Sequence, residues 1–272
     1  MRTPASKRTL PRARAYALAP LVCLVAISLL LAFMRSTSPT RLDPVLSWCS
    51  PAAAHPFGCG EGGVDLLALV SRAELGGIAL AVLVALTGFA LGTPLGASAA
   101  LARGRVERVV SRAADLIQAF PTFLLALVVL SSVRSPTRLH LGLVFAATAW
   151  APFARLALAE TRVLREASFI EAARALGLGR VAVVFRHLLP QLVGVVAVQL
   201  GATASAIVVS EAALAFVGLG PRDGVSLGGV MDQGVAAMLR APHVLTVGAL
   251  AIFLTSVSLL VAGRGLSGGM EE

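Results

Sequence analysis

The chain has 272 residues, 57% of them hydrophobic and 14% charged, with a formal net charge of +9. That balance is too apolar for a soluble domain of this size and points to a membrane protein. The basic excess alone would suit nucleic acid, but the basic residues are scattered between apolar runs with no aromatic interleaving, which argues against it.

Residues 1–14 read as a basic tail without stable structure, and 15–34 as the first transmembrane helix. Its apolar core has 20 residues and no small-residue cleavage site follows Met34, so it reads as a retained helix and not a signal peptide. Further charge-free runs fall at 75–102, 116–133, 139–154, 187–210 and 241–263. A spanning helix needs about 20 mostly apolar residues. The run 116–133 gains a turn from Val109–Asp115, and 139–154 must extend past Arg155, whose long side chain can reach the interface. Six spans result. With both termini in the cytoplasm, 16 of the 23 Lys and Arg residues lie inside and 7 outside, as the positive-inside rule requires.

Residues 35–71 form an outer segment rich in Pro, Ser and Gly. Cys49 and Cys59 both lie in it, facing oxidising conditions, where they can form a disulfide or remain free thiols. A bridge closing so short a loop would constrain the unfolded chain by roughly 3 kcal/mol. His55 is the only other soft ligand nearby, so no metal site is expected.

Span two carries Gly88, Gly92 and Gly96 at four-residue intervals, extended by Ala100 and Gly104. Glycines on one face let another helix backbone approach closely in lipid; packing within the chain is the preferred reading, a pivot at a pore the other. Pro94 among them is expected to kink the helix. Span three opens with Arg112 and Asp115, three apart on one face and expected to pair. Gln118 and the turn Ala119-Phe120-Pro121 follow.

Residues 169–190, FIEAARALGLGRVAVVFRHLLP, read as a helix, a glycine turn at Gly177 and Gly179, and a second short helix ended by Pro190. Val181, Val184, Phe185 and Leu188 at i, i+3, i+4 and i+7 predict one apolar stripe. Span five ends in SEAALAFVGLG, residues 210–220. Gln118, Gln199, Ser205, Ser210 and Glu211 are the polar groups that either line a translocation path or hydrogen-bond between helices. Glu211 is costly at that depth unless paired or facing water, and no base is adjacent in sequence. An outer link, 221–240, leads to span six, and 264–272 is a cytoplasmic tail.

Glu171-Ala172-Ala173, then Gly177, then His187-Leu188-Leu189-Pro190 resembles the EAA loop of permeases from ATP-binding-cassette importers that work with a substrate-binding protein. Histidine at 187, with DLIQAFPTFLLAL at 115–127 and SEAALAFVGLG at 210–220, resembles the dipeptide, oligopeptide and nickel group. That group usually has Ser-Trp-Gly where this chain has Ser226-Leu227-Gly228. The resemblance implies an all-α fold of six transmembrane helices, with a five-helix importer-permease (MetI-like) core over 72–263 and a cytoplasmic coupling loop over 161–190. It implies that Glu171, Ala172, Ala173, Arg174, Gly177, Arg180, His187, Leu189 and Pro190 dock an ATPase subunit. The implied partners are two ATPase subunits, a second similar permease, a periplasmic or lipid-anchored binding protein and membrane lipid, in a bacterial inner membrane. Peptide is the first expected substrate and nickel the second.

Lys7 is the only lysine, so no glycine-rich phosphate loop ending in Gly-Lys-Ser/Thr exists, and the energy must come from a partner or a gradient. Two Gly-x-Ser-x-Gly matches, at 224–228 and 265–269, lack the strand and helix of a nucleophile elbow. No catalytic residue and no cofactor is expected. The alternative function is a gradient-driven transporter or channel without an ATPase, which predicts ionisable residues near mid-membrane; a membrane scaffold or intramembrane hydrolase finds no supporting constellation.

Overall fold

The computed structural model describes residues 10–35 and 42–267, and among these it contains helices and one isolated bridge between Cys59 and Asp65. The helices are α1 (Leu10–Met34), α2 (Leu66–Ala102), α3 (Gly104–Ala119), α4 (Thr122–Ser131), α5 (Arg138–Leu164), α6 (Ser168–Ala175), α7 (Arg180–Val183), α8 (Leu189–Leu214), α9 (Leu227–Ala236) and α10 (Pro242–Ser267). Five helical stretches are long and apolar enough to cross a membrane, and α3 with α4 makes a sixth that is bent by 71°. The protein is an all-α membrane protein. α1 begins inside the segment read as an unstructured tail; residues 1–9 and 268–272 lie outside the described residues.

The seam between α2 and α5 is set by the glycines of span two. A side chain at Gly88 would come 2.7 Å from the Ala149 carbonyl, and at Gly92 and Gly96 it would collide with the carbonyls of Trp150 and Ala154. Three successive turns of backbone-on-backbone contact replace side-chain interdigitation, the arrangement that small residues permit in lipid. Gly104 does not extend this face: nothing lies near it, and its positive φ serves the turn from α2 into α3. Phe89 meets Phe153 edge-on at 6.4 Å on the same seam.

Two further expectations are corrected. Asp115 pairs with Arg155 of α5 at 3.3 Å and not with Arg112, because α3 packs against α5 and the tertiary partner displaces the local one. Pro190 does not end the second hairpin helix. A π-helical turn over Val184–Leu188 joins α7 to α8, and Pro190 sits in the first turn of α8, the part of a helix that tolerates proline best. One nearly continuous helical stretch therefore runs from Arg180 to Leu219.

The opposite end of the bundle is closed by the segment before α2. Cys49 and Cys59 are disulfide-bonded. Asp65 caps α2 by accepting from the Leu67 and Ala68 amides, and also binds His55 at 3.0 Å and Arg35. Leu66, Leu69 and Val70 of α2, Leu227 and Val230 of α9 and Val244 of α10 form an apolar cluster beneath it. Leu227, at the position where the resembled group usually has tryptophan, is 2% exposed and belongs to that cluster.

Candidate functional site

The hairpin of α6 and α7 turns at Gly177, whose φ of +80° is left-handed and disfavours any side chain. The Leu178 amide donates to the Ala173 carbonyl at 3.1 Å across the turn, the six-to-one bond of a Schellman motif. Leu178 and Ala173 then fall on the same apolar cluster, the contact that usually accompanies this cap.

One face of the hairpin is anchored. Ile170, Ala173, Val183, Val184 and Leu188 are buried against Ala97 and Leu101 of α2, Phe153 and Ala157 of α5 and Leu192 and Val196 of α8. The predicted stripe is thereby revised: Val184 and Leu188 point inward, but Val183 joins them, while Val181 and Phe185 point out. For Phe185 the π-helical turn contributes, since its wider period shifts 185 away from the face that 184 and 188 share. The outward face carries Leu176, 81% exposed, Val181, 72%, and Phe185, 59%. Glu171, Ala172, Arg180 and Pro190 are exposed beside it, and His187 is half-buried. Ala173 and Leu189 face the bundle instead and support the hairpin from beneath. The Arg174 side chain lies outside the described residues.

A charge network fixes the base of the hairpin. Glu107, in the first turn of amphipathic α3 and outside the apolar runs, accepts from Arg162 Nε at 2.5 Å and from Arg165 Nη1 at 3.2 Å. Arg165 also donates to the Ala100 carbonyl at the end of α2, and Arg103 pairs with Glu166 at 2.7 Å. The Arg162 hydrogen bond holds the Glu107 carboxyl below its usual range; burial opposes this and Arg165 reinforces it. The network joins α2, α3 and α5 where the hairpin leaves the bundle. Sequence reading missed Glu107, since its partners lie more than fifty residues away.

A cavity of about 360 Å³ opens where α3 breaks into α4, between that break, α5 and α8. Phe120, Pro121 and Pro152 shape it. Its polar groups are Gln118, Thr122, Thr148, Gln199, Thr203 and Ser210, with Gln199 donating to the Thr203 hydroxyl at 3.0 Å. Three of the five candidate polar residues, Gln118, Gln199 and Ser210, thus share one cavity. Ser205 and Glu211 do not line it; Glu211 is 3% exposed and faces Gly77 of α2. None of the lining residues is charged, and no group of three or more His, Cys, Asp or Glu able to hold a metal occurs among the described residues.

An uncharged cavity at a broken helix, beside a rooted hairpin, suits a transport subunit, and the wider pattern of the chain matches one. Residues 92–266 match the family described as binding-protein-dependent transport system inner membrane component. The chain belongs to that family. This permease is 30% identical over 222 residues to the glutathione transport system permease protein GsiD of Pectobacterium atrosepticum, covering 81% of this chain and 73% of the relative. The proteins of the same name from Shigella dysenteriae and Escherichia coli are 32% and 31% identical with the same coverage. Within the family it falls in the dipeptide, oligopeptide and nickel group. It is a multi-pass inner-membrane permease subunit of an ATP-binding-cassette importer.

The permease family match begins inside α2 and leaves α1 outside. α1 is held by a buried carboxylate that the sequence reading overlooked. Glu74 of α2, 6% exposed, accepts from Ser28 of α1 at 2.5 Å and from Thr255 of α10 at 2.7 Å. Counting charge-free runs placed Glu74 just outside span two; its position two turns inside a capped helix was the available signal.

Proposed function

We propose that this permease supplies half of a translocation path for short peptides, with glutathione among them, and that the 168–188 hairpin docks an ATPase subunit. The observation that carries the docking reading is the division of the hairpin into two faces. One is anchored in three helices, and the other projects Leu176, Val181 and Phe185 into the open. An exposed apolar patch marks a protein or membrane interaction site, and the charged neighbours of this one favour a protein. Glu171 and Arg180 flank it, and Gly177 sets the angle between its helices.

The peptide reading rests on the cavity and the relatives. Carboxamides and hydroxyls suit the amide groups of a peptide, whereas a bare nickel ion favours imidazole, thiolate or carboxylate. The relatives named above are glutathione permeases, and glutathione is a tripeptide. Partners in this proposal are two ATPase subunits, a second permease completing the path and a substrate-binding protein. Both termini and the hairpin face the cytoplasm, as the basic-residue count favours, and the disulfide segment faces the oxidising side. Closure of the ATPases would move the hairpin, and the stretch from Arg180 to Leu219 would carry that motion past the cavity.

The test is purification of the tagged chain with its neighbouring gene products in mild detergent, followed by uptake in proteoliposomes. ATPases and a second permease should co-purify, and labelled glutathione or dipeptide should enter only with ATP and the binding protein. A chain that purifies alone and shows no ATP-dependent uptake would overturn the proposal.

A further inference from the structure

Arg138, the first residue of α5, passes its guanidinium over Gly76 of α2, where any side chain at 76 would collide with it. On the other side it lies against Gly224. Its Nη2 donates to the Val225 carbonyl at 2.7 Å, and its backbone amide donates to Asp223 at 3.0 Å. The Arg222 amide donates to the Pro136 carbonyl at 2.8 Å. The link after α8 is thus tied to the start of α5. Yet the Arg138 Nε is buried with no acceptor.

Glu211 is the complementary anomaly. It is 3% exposed, and its carboxylate sits over Gly77, the α2 residue next to Gly76, 3.2 Å from where a side chain there would begin. No hydrogen bond to it occurs among the described residues, and neither it nor Arg138 belongs to the ion pairs found there. A cation and a carboxylate, each with unmet bonding capacity, therefore lie over adjacent residues of one helix. Leaving both so within a membrane is unfavourable, and pairing them is the obvious relief.

A helix end lies one turn beyond Glu211. There Val217 and Gly218 leave helical geometry, Gly218 with φ +83° and open space around it. Just before Glu211, Ser210 lines the uncharged cavity.

We infer that Arg138 and Glu211 close into an ion pair in another state of the transport cycle, positioning the end of α8 beside the cavity. Forming the pair draws Glu211 along α2 toward Gly76 and flexes the chain at Gly218. Ser210 and the cavity wall shift with it. Both residues are positioning residues and do not touch the cargo. The inference rests on the importer reading above.

The experiment uses the assembled importer in proteoliposomes, with Arg138→Cys and Glu211→Cys in a Cys23→Ser background; Cys49 and Cys59 are already bonded to each other. A short reducible thiol cross-linker should join the pair in only one of two states, nucleotide-free or vanadate-trapped. The closed link should block uptake and its reduction should restore it. Equal yields in both states, or uptake indifferent to the link, would overturn the inference. In parallel, Arg138→Glu and Glu211→Arg should each lower uptake about tenfold, and the double exchange should recover most of it. A double exchange no better than either single one in a complex that still assembles would also overturn it. If the single exchanges fail to assemble, the cysteine pair decides. A wild-type complex without ATP-driven uptake would instead reject the importer reading.

Discussion

The two ends of the bundle are fastened by different chemistry. At the hairpin end, α2, α3 and α5 meet through Glu107, Arg162, Arg165 and the Arg103–Glu166 pair, contacts that can lengthen and re-form. At the other end a covalent bridge, a helix cap shared with His55 and Arg35, and a dry apolar cluster hold the segment before α2. Ion pairs near a surface tolerate small displacements at little cost, whereas a short disulfide loop does not. Under the docking proposal, the contrast separates an end able to be moved from an end that holds its shape.

Four changes would sharpen or break this contrast. The largest effect on uptake is expected from Gly177→Val. The side chain meets no neighbour, but the left-handed backbone resists it by about 1–2 kcal/mol, so the hairpin angle changes. ATP-driven uptake should fall at least about tenfold, while membrane insertion and the disulfide segment stay intact. Full uptake would remove the hairpin from the coupling route.

Next comes Cys49→Ser, which should cost roughly 3 kcal/mol in local constraint. Hydrogen exchange should rise across 42–65 and leave the hairpin unchanged; a rise at both ends would show that they are not independent.

Glu107→Gln follows, at about 1–3 kcal/mol, since Arg162 and Arg165 lose a shared acceptor. Because the folded carboxyl is held below its ordinary value, its contribution is present above the usual carboxylate range and is lost as pH falls through the depressed value. Hairpin protection should therefore weaken as pH falls through that depressed value, and Glu107→Gln should abolish this pH dependence at the hairpin. Thermal unfolding and exchange between neutral pH and about pH 3 would measure it.

The smallest effect belongs to Ser28→Ala. Polar contacts between membrane helices average about 0.6 kcal/mol, so α1 should loosen slightly with uptake retained. Cross-linking of α1 to α10 would detect it.

Most of the helical plan could be read from the chain because lipid imposes a simple rule, apolar runs of sufficient length. The glycine seam of 88, 92 and 96 and the turn at Gly177 were visible for the same reason: the residue type itself dictates the geometry. What sequence could not supply was partner choice. Arg112 looked like the match for Asp115 because it lies three residues away, but Arg155 took that place once α3 lay on α5. The outward turn of Phe185 depends in part on one π-helical turn, which no 3.6-residue period anticipates. Glu107, Glu74 and Arg138 find their partners dozens of residues distant, so their roles exist only in three dimensions. Of the cavity, Gln118, Gln199 and Ser210 were named in advance because polar groups in apolar helices stand out. Thr148 was not, being a small hydroxyl among alanines.

The lack of charge along the cavity wall has an electrical consequence. A group bearing one elementary charge feels roughly 2.3 kcal/mol per 100 mV when carried across a membrane, and Gln118, Thr148, Gln199, Thr203 and Ser210 offer the field nothing to act on. Cargo with balanced charges would cross this wall without working against the resting voltage. For such cargo the pace of entry would follow nucleotide turnover alone, whereas glutathione, whose two carboxylates outnumber its one ammonium, would still feel the membrane voltage.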